Sequence, residues 1–129
     1  MSSPTPLGLD PDQLSTCVSC GLCLPHCPTF RVTGEEKYSP RGRIDAMRAV
    51  EAGRIAVDDD VVDFMETCVQ CRGCEPACPS GVEFGALMEQ TRTALAADGR
   101  ITPWWQRVGF AALDRPELLR AGSAALAVA

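Results

Sequence analysis

Apolar side chains recur at helical spacing in several stretches of the chain, and most of these stretches have recognisable ends. One follows Ser39-Pro40, an N-cap residue and a proline suited to the first helical position, and it stops at Gly53. A second, residues 58–67, begins with acidic residues, which stabilise the positive end of a helix. The predicted buried faces of these two helices consist of Ile44, Met47, Val50, Val61, Val62 and Met65.

Two further helices are predicted after residue 80. The first has apolar residues on one face and is closed by Gly99; the second starts at Thr102-Pro103. A short helix can also begin at Asp10 and lead to Cys17, whereas no stretch alternates β-branched residues over the length of a strand. The pattern therefore predicts an all-α fold. The apolar faces of the two later helices are Phe84, Leu87, Met88, Thr91 and Leu95, and then Trp104, Trp105, Val108 and Ala112.

The role of Trp104 and Trp105 has two interpretations. Packing in a core is the favoured one, and a surface for a quinone or a partner is the alternative. Residues 1–9 are rich in Pro, Ser and Gly and are predicted to be a disordered leader, so the helical domain is expected over residues 10–99.

The composition of the 129 residues favours a single small domain with an unusual interior. Aromatic residues make up 5 % of the chain, so a core of side chains alone would be thin and another group is expected in the middle. The net charge is −5, Lys37 is the single lysine, and no basic stripe exists, which argues against nucleic-acid binding. Neither a signal peptide nor an apolar run of membrane-spanning length is seen, so a cytoplasmic location is expected.

All eight cysteines lie in two short windows that repeat one motif. Each window reads C-x-x-C-x-x-C-x-x-x-C-P, and the second begins 51 residues after the first. Outside the windows the two halves of the sequence do not resemble each other. The windows are Cys17-Val-Ser-Cys-Gly-Leu-Cys-Leu-Pro-His-Cys-Pro28 and Cys68-Val-Gln-Cys-Arg-Gly-Cys-Glu-Pro-Ala-Cys-Pro79.

This motif predicts two 4Fe–4S clusters. Three cysteines at a pitch of three can wrap one corner of a cubane, and the fourth, which precedes proline, completes the other cluster in two-cluster ferredoxins. Zinc knuckles and disulfides are the alternatives. A zinc site does not explain a third cysteine at the same pitch or the following proline, and the N-terminus lacks the signal peptide expected of a secreted disulfide framework. The predicted ligands are Cys17, Cys20, Cys23 and Cys78 for cluster 1, and Cys68, Cys71, Cys74 and Cys27 for cluster 2.

Other residues near the motifs carry weaker signals. Gly21 and Gly73 either let backbone amides approach the cluster sulfides or only permit a tight turn. His26 could replace a thiolate, but a surface imidazole is favoured because four cysteines per cluster are already present. Arg41 and Arg43 either neutralise a cluster or dock a partner, or else they lie on a solvated helix face.

The motifs and the segment between them resemble a known family. The chain is similar to the N-terminal dicluster domain of glycolate oxidase iron–sulfur subunits and of the related heterodisulfide reductase subunits. This resemblance implies an all-helical ferredoxin fold, and an electron carrier beside a flavoprotein that oxidises a 2-hydroxy acid such as glycolate. It is carried by Cys17–Phe30, by Ser39-Pro-Arg-Gly-Arg-Ile44, and by Cys68–Val82 with its closing Cys-Pro-Ser-Gly-Val.

The resemblance also frames the expected function. Family members continue into cysteine-rich repeats with a Cys-Cys-Gly element, so residues 100–129 are expected to be a helical segment leading to a further domain. The expected partners are a flavoprotein dehydrogenase subunit and a quinone-linked or soluble acceptor, with membrane contact only through a partner. No residue is expected to be catalytic. The alternatives are a part of a heterodisulfide- or quinone-reducing enzyme, a stand-alone dicluster ferredoxin, and a scaffold whose clusters have no redox role.

Overall fold

The computed structural model describes the backbone of residues 7–128 and the side chains of residues 7–120, 123 and 124. Within this range the chain is helical and contains no strand, which confirms the all-α prediction. Short 3₁₀ turns cover Leu24–His26 and Glu36–Tyr38. The helices are α1 (Pro11–Ser15), α2 (Pro28–Thr33), α3 (Pro40–Glu51), α4 (Asp59–Glu66), α5 (Phe84–Ala97), α6 (Trp104–Leu113) and α7 (Pro116–Val128).

The helix ends follow the signals read in the sequence. Ser39 Oγ accepts a hydrogen bond from the Gly42 N–H at 3.0 Å, with Pro40 in the first turn of α3. Asp58 caps α4 in the same way through the Val61 N–H at 2.9 Å. The chain leaves α5 through Gly99, whose φ of 74° lies in the left-handed region that glycine adopts without strain.

The core lies between α3, α4 and α5. The apolar faces predicted for these helices are buried, and α4 packs against α5 while α3 packs against α1. Leu7 and Leu9, which fall within the predicted leader, are buried in the same core; residues 1–6 of the predicted leader lie outside the described residues. The buried side chains include Leu14, Ile44, Met47, Val50, Val61, Val62, Met65, Phe84, Leu87, Met88 and Leu95.

The prediction that the tryptophans pack in a core is wrong. Trp104 is 76 % exposed and Trp105 is 59 % exposed. The reason is that α6 packs against α7, and none of the residues 104–113, all of which the structure describes, is buried. Across the described part of the chain, no helix is both long and apolar enough to cross a membrane.

Gly42 lets the first turn of α3 lie directly on the 3₁₀ turn before it. A Cβ built at residue 42 would overlap the main-chain carbonyl of Glu36, which cannot move like a flexible side chain. Gly109 in α6 provides the contrast, because a Cβ there would meet nothing within 4 Å. The close approach at Gly42 therefore fixes the position of the α3 N-terminus relative to the 3₁₀ turn at Glu36–Tyr38.

We expect Gly42→Ala to destabilise the protein, although Gly→Ala inside a helix ordinarily stabilises by about 0.5–1 kcal/mol. Overpacking against fixed backbone should reverse the sign and cost about 1–3 kcal/mol. Thermal unfolding of the anaerobically prepared protein measures the difference, with Gly109→Ala as the matched control that leaves the midpoint unchanged or raises it. Equal effects of the two substitutions would contradict the close approach at residue 42.

Candidate iron–sulfur site

Two cavities lined by cysteine lie in the middle of the domain. The first cavity has a volume of about 260 Å³ together with the open space at its mouth, and Cys74 and Cys78 of the second motif join two cysteines of the first motif around it. The second cavity has a volume of about 290 Å³ measured in the same way, and Cys27 of the first motif meets three cysteines of the second. The thiols at the first cavity are those of Cys17, Cys23, Cys74 and Cys78; those at the second are Cys27, Cys68, Cys71 and Cys74.

One predicted ligand does not line its cavity. Cys20 is exposed on the first loop and is absent from the wall of the first cavity, whereas its counterpart Cys71 is exposed but does line the second. All eight cysteines are free, and Cys27 and Cys74 are the buried ones. Both of these buried thiols line the second cavity, whereas Cys74 is the one buried thiol at the first.

The two cavities share a wall made by Pro40, Cys74 and Phe84. Pro40 is the first residue of α3 and Phe84 the first residue of α5, so two helix N-termini meet between the cavities. Because a helix N-terminus carries partial positive charge, it is a favourable neighbour for an anionic group. The sequence had indicated Phe84 only as a core residue of a helix.

The two cysteine loops share one backbone conformation. Positive φ occurs at Ser19 (56°) and Gly21 (83°) in the first loop, and at the equivalent Gln70 (50°) and Arg72 (56°) in the second. Left-handed residues alternating along a loop turn successive N–H groups to one side, which makes an anion-binding concavity of the kind found at iron–sulfur sites. Three of these four residues are not glycine and adopt this conformation at some cost.

The glycines of the loops have different local roles. Gly21 has the left-handed conformation, and a Cβ there would lie 2.7 Å from Arg41 Nη1. Gly73 is equivalent to Leu22 and not to Gly21; a Cβ at this position would lie 3.3 Å from the His26 carbonyl oxygen. Gly73 therefore permits the close packing of one motif on the other, and the His26 side chain is exposed at the rim of the second cavity.

Burial of the thiols affects their protonation in the metal-free protein. It raises the pKa of Cys74 to about 12, and it also raises the pKa of Cys23. Since a metal binds the thiolate, iron must displace the proton from each of these groups when a cluster is assembled.

One arginine holds the start of each motif, and the two arginines do so in the same way. Arg48 of α3 donates to the carbonyls of Leu14 and Cys17, and Arg92 of α5 donates to those of Met65 and Cys68. Each arginine thus joins the end of the helix before a motif to the first cysteine of that motif. Sequence reasoning did not find this pair, because neither arginine lies within the repeated windows.

Arg41 lies at the first cavity and is paired with an acid. Its guanidinium donates to both carboxylate oxygens of Glu36, at 2.5 and 3.1 Å, and to the Ser19 carbonyl at 3.1 Å. This ion pair lowers the pKa of Glu36, so the carboxylate stays charged. The positive charge at the first cavity is accordingly balanced by a neighbouring negative one.

Arg43 lies at the second cavity and is fully buried, with 0 % exposure. Its Nε donates to the Phe64 carbonyl and its Nη1 to the Tyr38 carbonyl, both at 2.6 Å, and Nη1 lies 4.0 Å from Cys27 Sγ. Burial excludes the solvated helix face that was one interpretation of this residue. It fits the interpretation that Arg43 neutralises a cluster.

The donor set and its surroundings fit iron–sulfur clusters. Thiolates are the usual ligands of such clusters, and both cavities are lined by thiols with positive helix ends and arginines beside them. Among the side chains that the structure describes, no three of Cys, His, Asp or Glu converge closely enough to hold a single metal ion. A helical domain with this site is an iron–sulfur protein.

Comparison with known proteins identifies the family. Residues 13–82 match the model of the 4Fe–4S dicluster domain, and the chain belongs to that family. It therefore carries 4Fe–4S clusters, and eight cysteines suffice for two of them. No solved structure matches the chain.

Curated relatives narrow the resemblance. The chain is 49 % identical over 85 residues to the "Probable glycolate oxidase iron-sulfur subunit" of Bacillus subtilis, which covers 65 % of the chain and 19 % of the relative. It is 40 % identical over 76 residues to the "Glycolate oxidase iron-sulfur subunit" of Escherichia coli, covering 59 % of the chain and 18 % of the relative. The chain thus spans about one-fifth of the length of these relatives.

More distant relatives belong to heterodisulfide reductases. One component of the "Dihydromethanophenazine:CoB--CoM heterodisulfide reductase" of Methanosarcina acetivorans is 26 % identical over 102 residues, covering 67 % of the chain and 25 % of that protein. The resemblance to both groups that the motifs indicated is confirmed.

We expect Arg48→Met to destabilise the protein and to loosen the first cysteine loop. The substitution leaves the carbonyls of Leu14 and Cys17 without their charged donor, which should cost about 1–3 kcal/mol. Thermal unfolding and the rate of iron loss to a chelator measure the effect. Arg54→Met, at an exposed position just after the same helix, removes the same charge and should change neither quantity. Equal behaviour of the two variants would show that the hydrogen bonds from Arg48 to the Leu14 and Cys17 carbonyls do not stabilise the loop.

Proposed function

We propose that one cluster is held by Cys17, Cys20, Cys23 and Cys78 and the other by Cys68, Cys71, Cys74 and Cys27. The second cavity supports this scheme, because all four proposed ligands of its cluster line it. The first cavity supports it with three of the four, since Cys20 stands on the exposed loop beside it. Each cluster then joins a triplet from one motif to a single thiolate from the other.

This ligand scheme can be distinguished experimentally from the alternative in which each motif supplies all four ligands of one cluster. With Cys17, Cys20 and Cys23 all replaced by Ser, one cluster of about four irons should remain. Adding Cys27→Ser should then change the spectrum of this cluster, whereas adding Cys78→Ser should not. Iron and sulfide counting and EPR of the reduced protein provide the measurement.

The mirror background gives the control. With Cys68, Cys71 and Cys74 replaced by Ser, the remaining cluster should respond to Cys78→Ser and not to Cys27→Ser. The opposite response in both backgrounds would show that each motif supplies all four ligands of one cluster.

We propose further that the chain is the electron-transfer part of a flavin-linked dehydrogenase of 2-hydroxy acids, of the glycolate type. The observation that supports this most directly is the 49 % identity over 85 residues with a glycolate oxidase iron–sulfur subunit. The clusters supply one-electron chemistry, and the chain's own residues hold them and set their surroundings. The proposed partners are a flavoprotein subunit, which gives up electrons, and an acceptor; the proposed location is the cytoplasm, where thiols stay reduced.

The test uses the purified protein together with the proposed flavoprotein partner, sought by copurification. Under anaerobic conditions, adding glycolate should reduce the clusters, seen as a new EPR signal and loss of visible absorption. Without the flavoprotein the same addition should do nothing, because the chain offers no proposed catalytic residue. Failure of glycolate and other 2-hydroxy acids, with reduction by dithionite intact, would overturn the substrate assignment.

A second candidate function is electron transfer within a heterodisulfide- or quinone-reducing enzyme. It is supported by the 29 % identity over 107 residues with a component of the "Ferredoxin:CoB-CoM heterodisulfide reductase" of Methanosarcina mazei, a protein of which the match covers 60 %. In the experiment above, cluster reduction by a dithiol or a hydroquinone and not by glycolate would favour this candidate.

A further inference from the structure

The two cavities have different charges around them. Arg41 lies at the first cavity, and Arg43 and Arg72 lie at the second. Two of these three guanidinium groups are balanced by a carboxylate: Arg41 by Glu36, and Arg72 by Glu75 at 2.9 Å. Among the side chains that the structure describes, no carboxylate forms an ion pair with Arg43.

The partners of Arg43 are all uncharged groups. Besides the Phe64 and Tyr38 carbonyls, its guanidinium reaches Thr29 Oγ1 at 3.3 Å and Thr67 Oγ1 at 3.4 Å. A guanidinium keeps its positive charge in proteins, and a buried charge is costly unless it is paired. The missing negative partner is supplied if an anionic cluster occupies the cavity that Arg43 and Cys27 both line.

The connection to Cys27 is reinforced by a third residue. Cys27 Sγ lies 3.1 Å from Thr29 Oγ1, and the same hydroxyl is within 3.3 Å of Arg43 Nη1. Arg43 is thus linked to one proposed ligand both directly and through Thr29. Hydrogen bonds and positive charge near cluster sulfurs stabilise the reduced form, which carries one more negative charge.

We propose that Arg43 is the resident counter-charge of the cluster at Cys27, Cys68, Cys71 and Cys74, and that it raises the reduction potential of this cluster relative to the other. The inference rests on the proposed ligand scheme. In the step concerned, one electron enters the cluster from a chemical reductant or from the flavoprotein, and no bond forms or breaks. Arg43 is a positioning and tuning residue and not a catalytic one.

Burial of the second cluster lowers its reduction potential, whereas the charge of Arg43 raises it, and the two contributions can be measured separately. Burial of the thiols at the second cavity makes an added negative charge less favourable, whereas Arg43 makes it more favourable. Arg43 also ties α2 and α4 to the 3₁₀ turn before α3, so its loss affects stability as well. The test therefore needs a readout that a purely structural role would not change.

That readout is the reduction potential of each cluster in the intact chain, measured by EPR during a dithionite titration. Cys20→Ser and Cys71→Ser assign the two signals, because each changes one exposed ligand. Arg43→Gln should lower the ratio of reduced to oxidised second cluster at least tenfold at a fixed potential, which corresponds to about 59 mV for one electron. The first cluster should change less, and Arg54→Gln should change neither.

Two further variants separate charge from structure. Arg43→Lys keeps the positive charge and loses the forked hydrogen bonds, so it should lower thermal stability while keeping most of the potential. Glu36→Gln leaves Arg41 without its balancing carboxylate, so it should raise the potential of the first cluster and not of the second.

The outcomes are distinct. If Arg43→Gln binds both clusters and leaves their potentials as in the parent protein, the counter-charge role is wrong. If Arg43→Gln does not fold, an Arg43→Lys variant whose second cluster has a lower potential than in the parent protein, by about 59 mV or more, would overturn it. A parent protein that binds no cluster would instead overturn the proposed function on which the inference rests.

Discussion

The structure depends on two thiol-lined cavities that meet at the N-terminus of α3. Pro40, Cys74 and Phe84 form a wall common to both, so a change in any of these three residues alters both cavities. The low aromatic content becomes understandable from this arrangement, because the centre of the domain is built for inorganic groups. The binding free energy of such groups contributes to folding, since the cavities bring together residues that are far apart in the chain.

An internal symmetry extends beyond the repeated windows. In each half, a helix leads into the cysteine loop and an arginine from a later helix holds both the helix end and the first cysteine. Arg48 follows its cysteine by 31 residues and Arg92 follows its own by 24. Because these spacings differ, a search of the sequence for repeats finds the cysteines and misses the two arginines. The geometry is repeated although the sequence is not.

The sequence was sufficient to predict helix boundaries, because local signals decide where a helix begins and ends. Ser39-Pro40 and Asp58 mark helix starts through their own side chains, and Gly99 marks an end, so these boundaries were predicted correctly. Burial depends on tertiary contacts that periodicity does not specify. Trp104 has the spacing of a core residue, yet its helix packs against α7, and Leu7 is buried although its neighbours look like a leader.

Arg43 shows why the site could be only partly predicted. In the sequence it stands two residues from Arg41, and both interpretations applied equally to either arginine. In the structure Gly42 seats the helix on the Glu36 carbonyl, and the two side chains reach different cavities. Arg41 forms an ion pair with the Glu36 carboxylate, while Arg43 is buried among uncharged hydrogen-bonding groups. Removing one partner of a buried ion pair costs about 3–5 kcal/mol. A buried cation whose anion is the cofactor therefore links the stability of the fold to the charge of the cluster, so that the same contact that favours cluster binding also favours its reduction.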